Sequence, residues 1–239
     1  MDEVIVILAG GLATRLRPIT EKIPKSMILF HGKPFIYYQL KLLKEKGFKN
    51  ILICAGYLGD KIKDFLDNNS NLGLSIKYSF DGDKLLGTGG ALFKAKDLLS
   101  ELFFVLYGDS YLNIDYKKIL DLFYNKNCLG LMTIYKNNNK WDKSNVIYEN
   151  NMIKLYDKKE ELPEMNYIDY GLSLLNKKAL DFIKSQTEYY DLGDLFNLLS
   201  KQNKLLGFNI NNRFYEIGSL EGIKDFYKYL NKYERRGNE

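Results

Sequence analysis

The chain has 239 residues, 46% of them hydrophobic, and its 35 basic and 30 acidic side chains leave a net charge of +5. That length suits one sizeable α/β core, with residues 1–239 as a single domain, and leaves too little chain for a second. Charges of both signs are interspersed without a concentrated basic face, which argues against a nucleic-acid reader, and no apolar run is long enough to span a bilayer. The chain enters a strand at once, with no charged leader or signal core, so a cytoplasmic location is expected. Cys54 and Cys128 lie far apart in apolar runs and read as buried thiols.

Val4–Ala9 is an apolar run of the kind that forms a buried parallel strand. It leads straight into Gly10-Gly11, then Arg15 and Arg17, with Lys25 following Pro24. Glycine permits a sharp turn and close backbone approach. Successive N–H groups form an anion-binding concavity, and Arg15 and Lys25 add full charges. A polyphosphate is the ligand this arrangement suits. His31, the single histidine, lies in a His-Gly-Lys-Pro turn with no nucleophile or ligand neighbours in sequence.

Helical periodicity runs over Phe35–Lys46, opened by Pro34. Asn50–Ala55 is a strand, Gly59–Leu66 a helix and Leu74–Phe80 a strand. A polar Asp81-Gly82-Asp83 turn precedes Gly87-Thr88-Gly89-Gly90. There Thr88 or Gly89 is expected to cap a helix over Gly89–Leu99, leaving its first N–H groups free at the ligand edge. Phe103–Tyr107 is the next strand, and Asp109 beyond it stands at the edge where α/β sheets bind ligands. One or two carboxylates there suit Mg²⁺, which takes carboxylate oxygens together with phosphates and water.

Beyond residue 127, Leu129–Tyr135, Ser144–Glu149, Met152–Tyr156 and Tyr167–Leu175 read as strands joined by Asn-rich turns, with Asn150-Asn151 a hairpin signal. Helical patterns return at Lys177–Lys184, Leu192–Lys201 and Leu220–Tyr233, and Arg235-Arg236 reads as a frayed end. The alternation predicts an α/β fold: a Rossmann-like, mostly parallel twisted sheet flanked by helices, with a smaller antiparallel insertion.

The segments Gly10–Pro18 and Pro24–Met27 together resemble the GGxGTRLxP…PKP signature of the sugar-phosphate nucleotidylyltransferases. Ala13 replaces the usual glycine and Ser26 the usual proline. The likeness spans nearly the whole chain and is strongest over residues 4–110; it implies that residues 1–127 are the nucleotide-binding half and 128–239 the acceptor-binding half, the smaller antiparallel part being an acceptor-binding insertion. It implies a Mg²⁺-dependent transfer: the phosphate of a small-molecule acceptor, of the sugar-1-phosphate type, attacks the α-phosphorus of a nucleoside triphosphate and pyrophosphate leaves. Such products feed surface-polysaccharide synthesis. By resemblance, Leu8, Ala9, Gly10 and Gly11 line the nucleotide, Arg15 and Lys25 hold its triphosphate, and Gly87, Thr88 and Gly89 lie against base and ribose. Asp109 corresponds to one metal ligand. Glu216, within Tyr215–Glu221, stands where the family's second ligand is an aspartate.

On the acceptor side, Lys158 matches the family's phosphate-contacting lysine, with Lys159 one position away. Asp169 and Gly171 match the sugar-binding NAGIY element, and Trp141 and Asn145 fall in a further acceptor-side segment. A carboxylate at position 169 suits an amine-bearing acceptor or orients sugar hydroxyls. Where uridine- and thymidine-using relatives present a glutamine, this chain has Asp81. A carboxylate accepts from the exocyclic amine of cytosine, which favours CTP, with GTP or UTP as the other candidates; a solvated turn explains Asp81 equally well. Residues 141–171 also fit a divergent branch that includes phosphoglutamine cytidylyltransferase of capsule phosphoramidate assembly, acting on a phosphorylated amino acid. A nucleotide-binding regulatory subunit without catalysis is the third reading. The oligomeric state is not readable.

Overall fold

The computed structural model describes residues 1–69, 72–124, 126–139, 142–184 and 188–236. The first half supplies β1 (Val4–Ala9), the hairpin β2 (Leu29–Phe30) and β3 (Lys33–Pro34), β4 (Asn50–Ala55), β5 (Ser75–Phe80), β6 (Leu102–Tyr107) and β7 (Ser110–Tyr111). The second half adds β8 (Gly130–Lys136), β9 (Val146–Glu149), β10 (Met152–Tyr156), β11 (Tyr167–Asn176), β12 (Leu205–Asn209) and β13 (Tyr215–Glu216). Between them run α1 (Ile19–Lys22), α2 (Phe35–Glu45), α3 (Gly59–Asn68), α4 (Gly87–Lys94), α5 (Tyr116–Phe123), α6 (Leu192–Lys201) and α7 (Leu220–Arg236).

One nine-stranded sheet, in the order β5-β4-β1-β6-β11-β8-β12-β10-β9, organises the chain. Strands β5, β4, β1 and β6 are parallel, as expected for helix-joined strands buried on both faces. Alternation along β1 sends Ile5 and Ile7 to the core under α2, α3 and α5, and Val6 and Leu8 to the core under α4 and α6. The antiparallel strands of the second half continue this sheet, because β11 pairs directly with β6 from Leu172↔Leu106 to Asn176↔Leu102. Asn150 and Asn151 both take positive φ, 49° and 62°, and close the β9–β10 hairpin as the sequence predicts.

Several expected boundaries move. The helix expected over Gly89–Leu99 starts at Gly87 and stops at Lys94, with Lys96–Leu98 a separate 3₁₀ turn. Lys177–Phe182 is 3₁₀ and not α-helical. The α7 backbone continues through Arg236, so the expected fraying at Arg235-Arg236 is not seen. Cys54 is buried, whereas Cys128 is only partly so.

The parallel strands end flush. Leu8 pairs with both Cys54 and Tyr107, and Cys54 with Ser79, so Gly10, Gly56, Asp81 and Gly108 all leave the sheet at one edge. Beside that edge sits a third, smaller apolar cluster, containing Leu16, Ile28, Phe30, Phe35, Tyr111, Ile217 and Phe226.

Candidate active site

A cleft of about 980 Å³ opens over this edge. It is lined by Leu8, Ala9, Gly10, Gly11, Arg15, Lys25, Asp81, Gly87, Thr88, Asp109, Asn145, Lys158, Asp169, Gly171 and Glu216, so the structure gathers candidate residues from as far apart as positions 8 and 216 into one space. Gly89 is not among the lining residues. Trp141 lies outside the described residues.

The loop after β1 has the form an anion needs. Among the described residues, the N–H groups of Gly11, Leu12 and Ala13 meet no acceptor in the chain and are open to a ligand. Ala13 sits in the left-handed region (φ 49°, ψ 44°), where glycine costs least, which accounts for the glycine of the resembled signature. Its carbonyl accepts from Thr20 Oγ1 at 2.8 Å, holding the bend. A 3₁₀ turn over Thr14–Leu16 buries Leu16 and leaves Arg15 exposed toward the cleft. A second such turn, Lys25–Met27, presents Lys25, whose Nζ donates to Asp109 Oδ2 at 2.5 Å. The buried hydroxyl of Ser26 has no partner among the described residues and also lines the cleft.

Asp109 follows β6, and the two-residue ribbon β7–β13 brings Glu216 beside it. Glu216 pairs with Ser110, and Ile217 N–H donates to the Asp109 carbonyl at 2.9 Å. Glu216 Oε2 accepts from Gly218 N–H at 2.6 Å, and Oε1 from the Ser219 hydroxyl at 3.3 Å, so the extra methylene relative to aspartate is folded back and held. A Cβ on Gly218 would press on Glu216 Oε2 and lie 3.2 Å from Asp109 Oδ2 and 3.3 Å from an Arg15 guanidinium nitrogen. Glycine therefore keeps open the small space on which both carboxylates and Arg15 converge. Two hard oxygen donors without a complete cage fit Mg²⁺, which is commonly held by one or two carboxylates with substrate phosphates supplying the rest. Among the described residues no group of three His, Cys, Asp or Glu side chains forms a fuller cage.

On the β4–β5 side, Asp81 is 9% exposed, which removes the solvated-turn explanation. Its Oδ2 accepts from Leu86 N–H at 3.2 Å, and burial raises its carboxyl pKa against the opposing pull of that N–H and of Lys94. Gly56 makes room for it: a Cβ there would lie 2.9 Å from Asp81 Oδ2 and 2.8 Å from the Gly10 carbonyl. The expectation for α4 needs correction. Neither Thr88 nor Gly89 caps it, since Leu86 is its N-cap residue without a side-chain bond. The N–H groups of Gly89 and Gly90 are not free, because both donate to the Tyr190 carbonyl at 2.9 and 3.1 Å, and Thr88 Oγ1 accepts from Leu192 N–H at 2.8 Å. Through the Tyr190 carbonyl, the stretch leading into α6 takes up two of the donors that the helix start would otherwise offer.

The far end of the cleft is built by β11 and β10. Register slips between Asp169 and Ser173, at Gly171 with φ +98°, and this bulge re-aims Asp169 into the cleft. Asp169 Oδ1 accepts from Gly171 N–H at 2.8 Å, Tyr107 bonds its carboxylate, and Asn145 Oδ1 accepts from its backbone N–H at 3.2 Å. Burial outweighs these bonds and the nearby Lys158 charge, raising the Asp169 carboxyl to about 6. Its proton is thus held more tightly in the folded than in the unfolded chain, so its burden on stability is absent at low pH and grows as pH rises through about 4 to 6. Asp169→Asn is expected to stabilise the fold by about 2 kcal/mol at pH 7, a rise of roughly 4–8 °C in Tm, with the gain vanishing near pH 4. Thermal melts at the two pH values check this.

Lys158 Nζ lies 3.2 Å from Asp191 Oδ1, and Asp191 caps α6 through the Gly193 N–H at 2.6 Å. Sequence reading missed Asp191, Tyr107 and Tyr156. The two tyrosines carry an apolar strand pattern that gives no sign of their place in the cleft wall. His31, in line with expectation, is an exposed turn residue, at φ 44° between β2 and β3.

A family model described as nucleotidyl transferase matches residues 4–235. A D-glycero-alpha-D-manno-heptose 1-phosphate guanylyltransferase of Campylobacter jejuni is 30% identical over 227 residues, covering 94% of this chain and 97% of that protein. A UTP–glucose-1-phosphate uridylyltransferase of Synechocystis is 28% identical over 241 residues, where the chain spans 62% of the relative's length. Among solved structures, HddC of Yersinia pseudotuberculosis aligns with a TM-score of 0.79 at 24% identity, over 95% of this chain and 99% of that one, and shows the same fold. The sequence, the fold and these likenesses agree on one point: the chain belongs to the nucleotidyl transferase family.

Proposed function

We propose that the protein joins a nucleoside triphosphate to a phosphorylated acceptor of the sugar-1-phosphate type, releasing pyrophosphate. The observation that carries this reading is the convergence of the open Gly11–Ala13 N–H groups, Arg15, Lys25 and the Asp109–Glu216 pair in one cleft. The loop and Arg15 receive the triphosphate, whose charge Arg15 grips in a fixed fork. Lys25 leaves Asp109 to meet phosphate oxygens as they enter. Asp109 and Glu216 would hold Mg²⁺, which when bound neutralises charge on the phosphates. Lys158 aligns the acceptor phosphate for in-line attack on the α-phosphorus. That phosphate is already ionised, so positioning and charge stabilisation suffice without a general base. The relatives' printed names, guanylyl- and uridylyltransferases of sugar 1-phosphates, support the acceptor class. The test is pyrophosphate release with Mg²⁺ from each of the four NTPs against a panel of sugar 1-phosphates. No release in any combination sinks the reading.

Asp81 selects the base in this reading. A buried carboxylate beside the glycine loop accepts from an exocyclic amine, which cytosine and guanine carry and uracil lacks. CTP is the favoured donor and GTP the second. Asp81→Asn keeps an oxygen for Leu86 N–H but offers a donor on its other arm. It is expected to lower the preference for the amine-bearing nucleotide over UTP by about 10-fold or more, read as the ratio of kcat/KM values. An unchanged ratio would remove Asp81 from base selection.

A further inference from the structure

The acceptor end of the cleft carries more negative charge than a phosphorylated neutral sugar should tolerate. Lys158, the cation assigned to the acceptor phosphate, is already paired with Asp191 at 3.2 Å, and its neighbour Lys159 is turned to Asp194 at 3.6 Å. Asp169 faces the same space, and Asp142 adds a further carboxylate to the lining. A dianionic phosphate brought here meets like charge unless the rest of the acceptor supplies a cation.

The second observation is independent of charge. The side chain of Tyr156 is fully buried, lines the cleft, and its hydroxyl has no hydrogen-bond partner among the described residues. Orphaned buried hydroxyls are uncommon and ask for a reason. The Tyr156 ring packs at a right angle to Phe196 in the buried cluster, and the charges of Asp169, Tyr107 and Asp191 act on the hydroxyl. Two aromatic rings, an acceptor oxygen without a donor, and a carboxylate aimed by a bulge compose a site for a group with several N–H donors and a positive charge.

We propose that the acceptor carries a protonated amine in addition to its phosphate, and that Asp169 and the Tyr156 hydroxyl receive it. The ammonium donates to the Asp169 carboxylate and to Tyr156 Oη, while Tyr107 holds the carboxylate from the other side. This specificity rests on the nucleotidyl-transfer reading for its biological meaning, but the recognition itself is measurable without turnover.

Two matched sets test it by titration calorimetry on the full chain with Mg²⁺. One is glucosamine 1-phosphate against glucose 1-phosphate and N-acetylglucosamine 1-phosphate; the other is phosphoethanolamine against 2-hydroxyethyl phosphate. In at least one set the ammonium member is expected to bind about 10-fold or more tightly than its neutral partners, the scale of a hydrogen bond to a charged group. Asp169→Asn should bring that ratio below about 3-fold. Tyr156→Phe should weaken the ammonium ligand while leaving Tm unchanged or raised, since the hydroxyl it removes has no structural partner. Equal or better binding of the neutral members in both sets, or a preference that survives Asp169→Asn, overturns the proposal, as does a Tyr156→Phe variant that loses Tm and keeps its affinity. Pyrophosphate release without ammonium preference would leave the transferase reading standing and remove this one. Ammonium preference without release from any NTP would do the reverse.

Discussion

Asp109→Asn is expected to lower kcat/KM for pyrophosphate release by about 10³-fold or more, with the fold intact. The magnitude follows from the several kcal/mol of charge stabilisation that a metal-holding carboxylate contributes to phosphoryl chemistry. The fold should survive because Asp109 lies past the end of β6, outside the apolar clusters, and the amide keeps the side chain's shape. Its backbone carbonyl, which ties down Ile217, is untouched. Lys25 loses its ion-pair partner, but at 23% exposure water can solvate the freed ammonium. Steady-state assays paired with thermal melts separate the two effects. Near-normal turnover from a soluble variant under Mg²⁺ would remove Asp109 from the reaction.

The second large effect falls on a residue that touches no ligand. Phe226 in α7 is fully buried, with ring centroids 4.9 Å from Phe30 and Phe35 and 5.0 Å from Tyr111. The cluster around it adjoins four charged groups of the site, Arg15, Lys25, Asp109 and Glu216. Leu16 adjoins Arg15, Ile28 ends the turn begun by Lys25, Tyr111 lies two residues beyond Asp109, and Ile217 follows Glu216. Phe226→Ala is expected to cost about 3–5 kcal/mol through lost burial and a residual cavity, which corresponds to a Tm drop of roughly 6–20 °C for a chain of this size. Activity should fall as well, even at temperatures where the variant remains folded, because the four charged groups lose a common support. Urea unfolding followed by assays well below the new midpoint measures both. A destabilised variant with full activity at low temperature would show that the cluster supports the fold alone.

Elements with strong local periodicity were legible from the residues. Val4–Ala9, Asn50–Ala55, Met152–Tyr156 and Leu192–Lys201 occupy the positions their patterns indicate. Several of the missed elements draw their stability from distant partners. β12 is five residues interrupted by Gly207, and β7 and β13 are two residues each, too short to carry a pattern and formed only by pairing across a long stretch of sequence. α5 was overlooked even though Asp115 caps it by accepting from Lys118 N–H; Lys117-Lys118 obscured its apolar face. In the site, the positions of the charged loop after β1 and of Asp109 after β6 follow from local sequence. The capture of Gly89 and Gly90 by Tyr190, the pairing of Lys158 with Asp191, and the unsatisfied hydroxyl of Tyr156 depend on contacts that no linear spacing encodes.

The β7–β13 ribbon carries a consequence for biosynthesis. A ribosome delivers the glycine bend and Asp109 early, yet the second carboxylate arrives more than a hundred residues later and is seated only when residues 215–216 zip onto 110–111. However well the parallel strands have settled by then, a nascent chain lacking this closure holds an unfinished pair of acids. On the proposed reading of this pair, competence is conferred late in translation and incomplete products are silent.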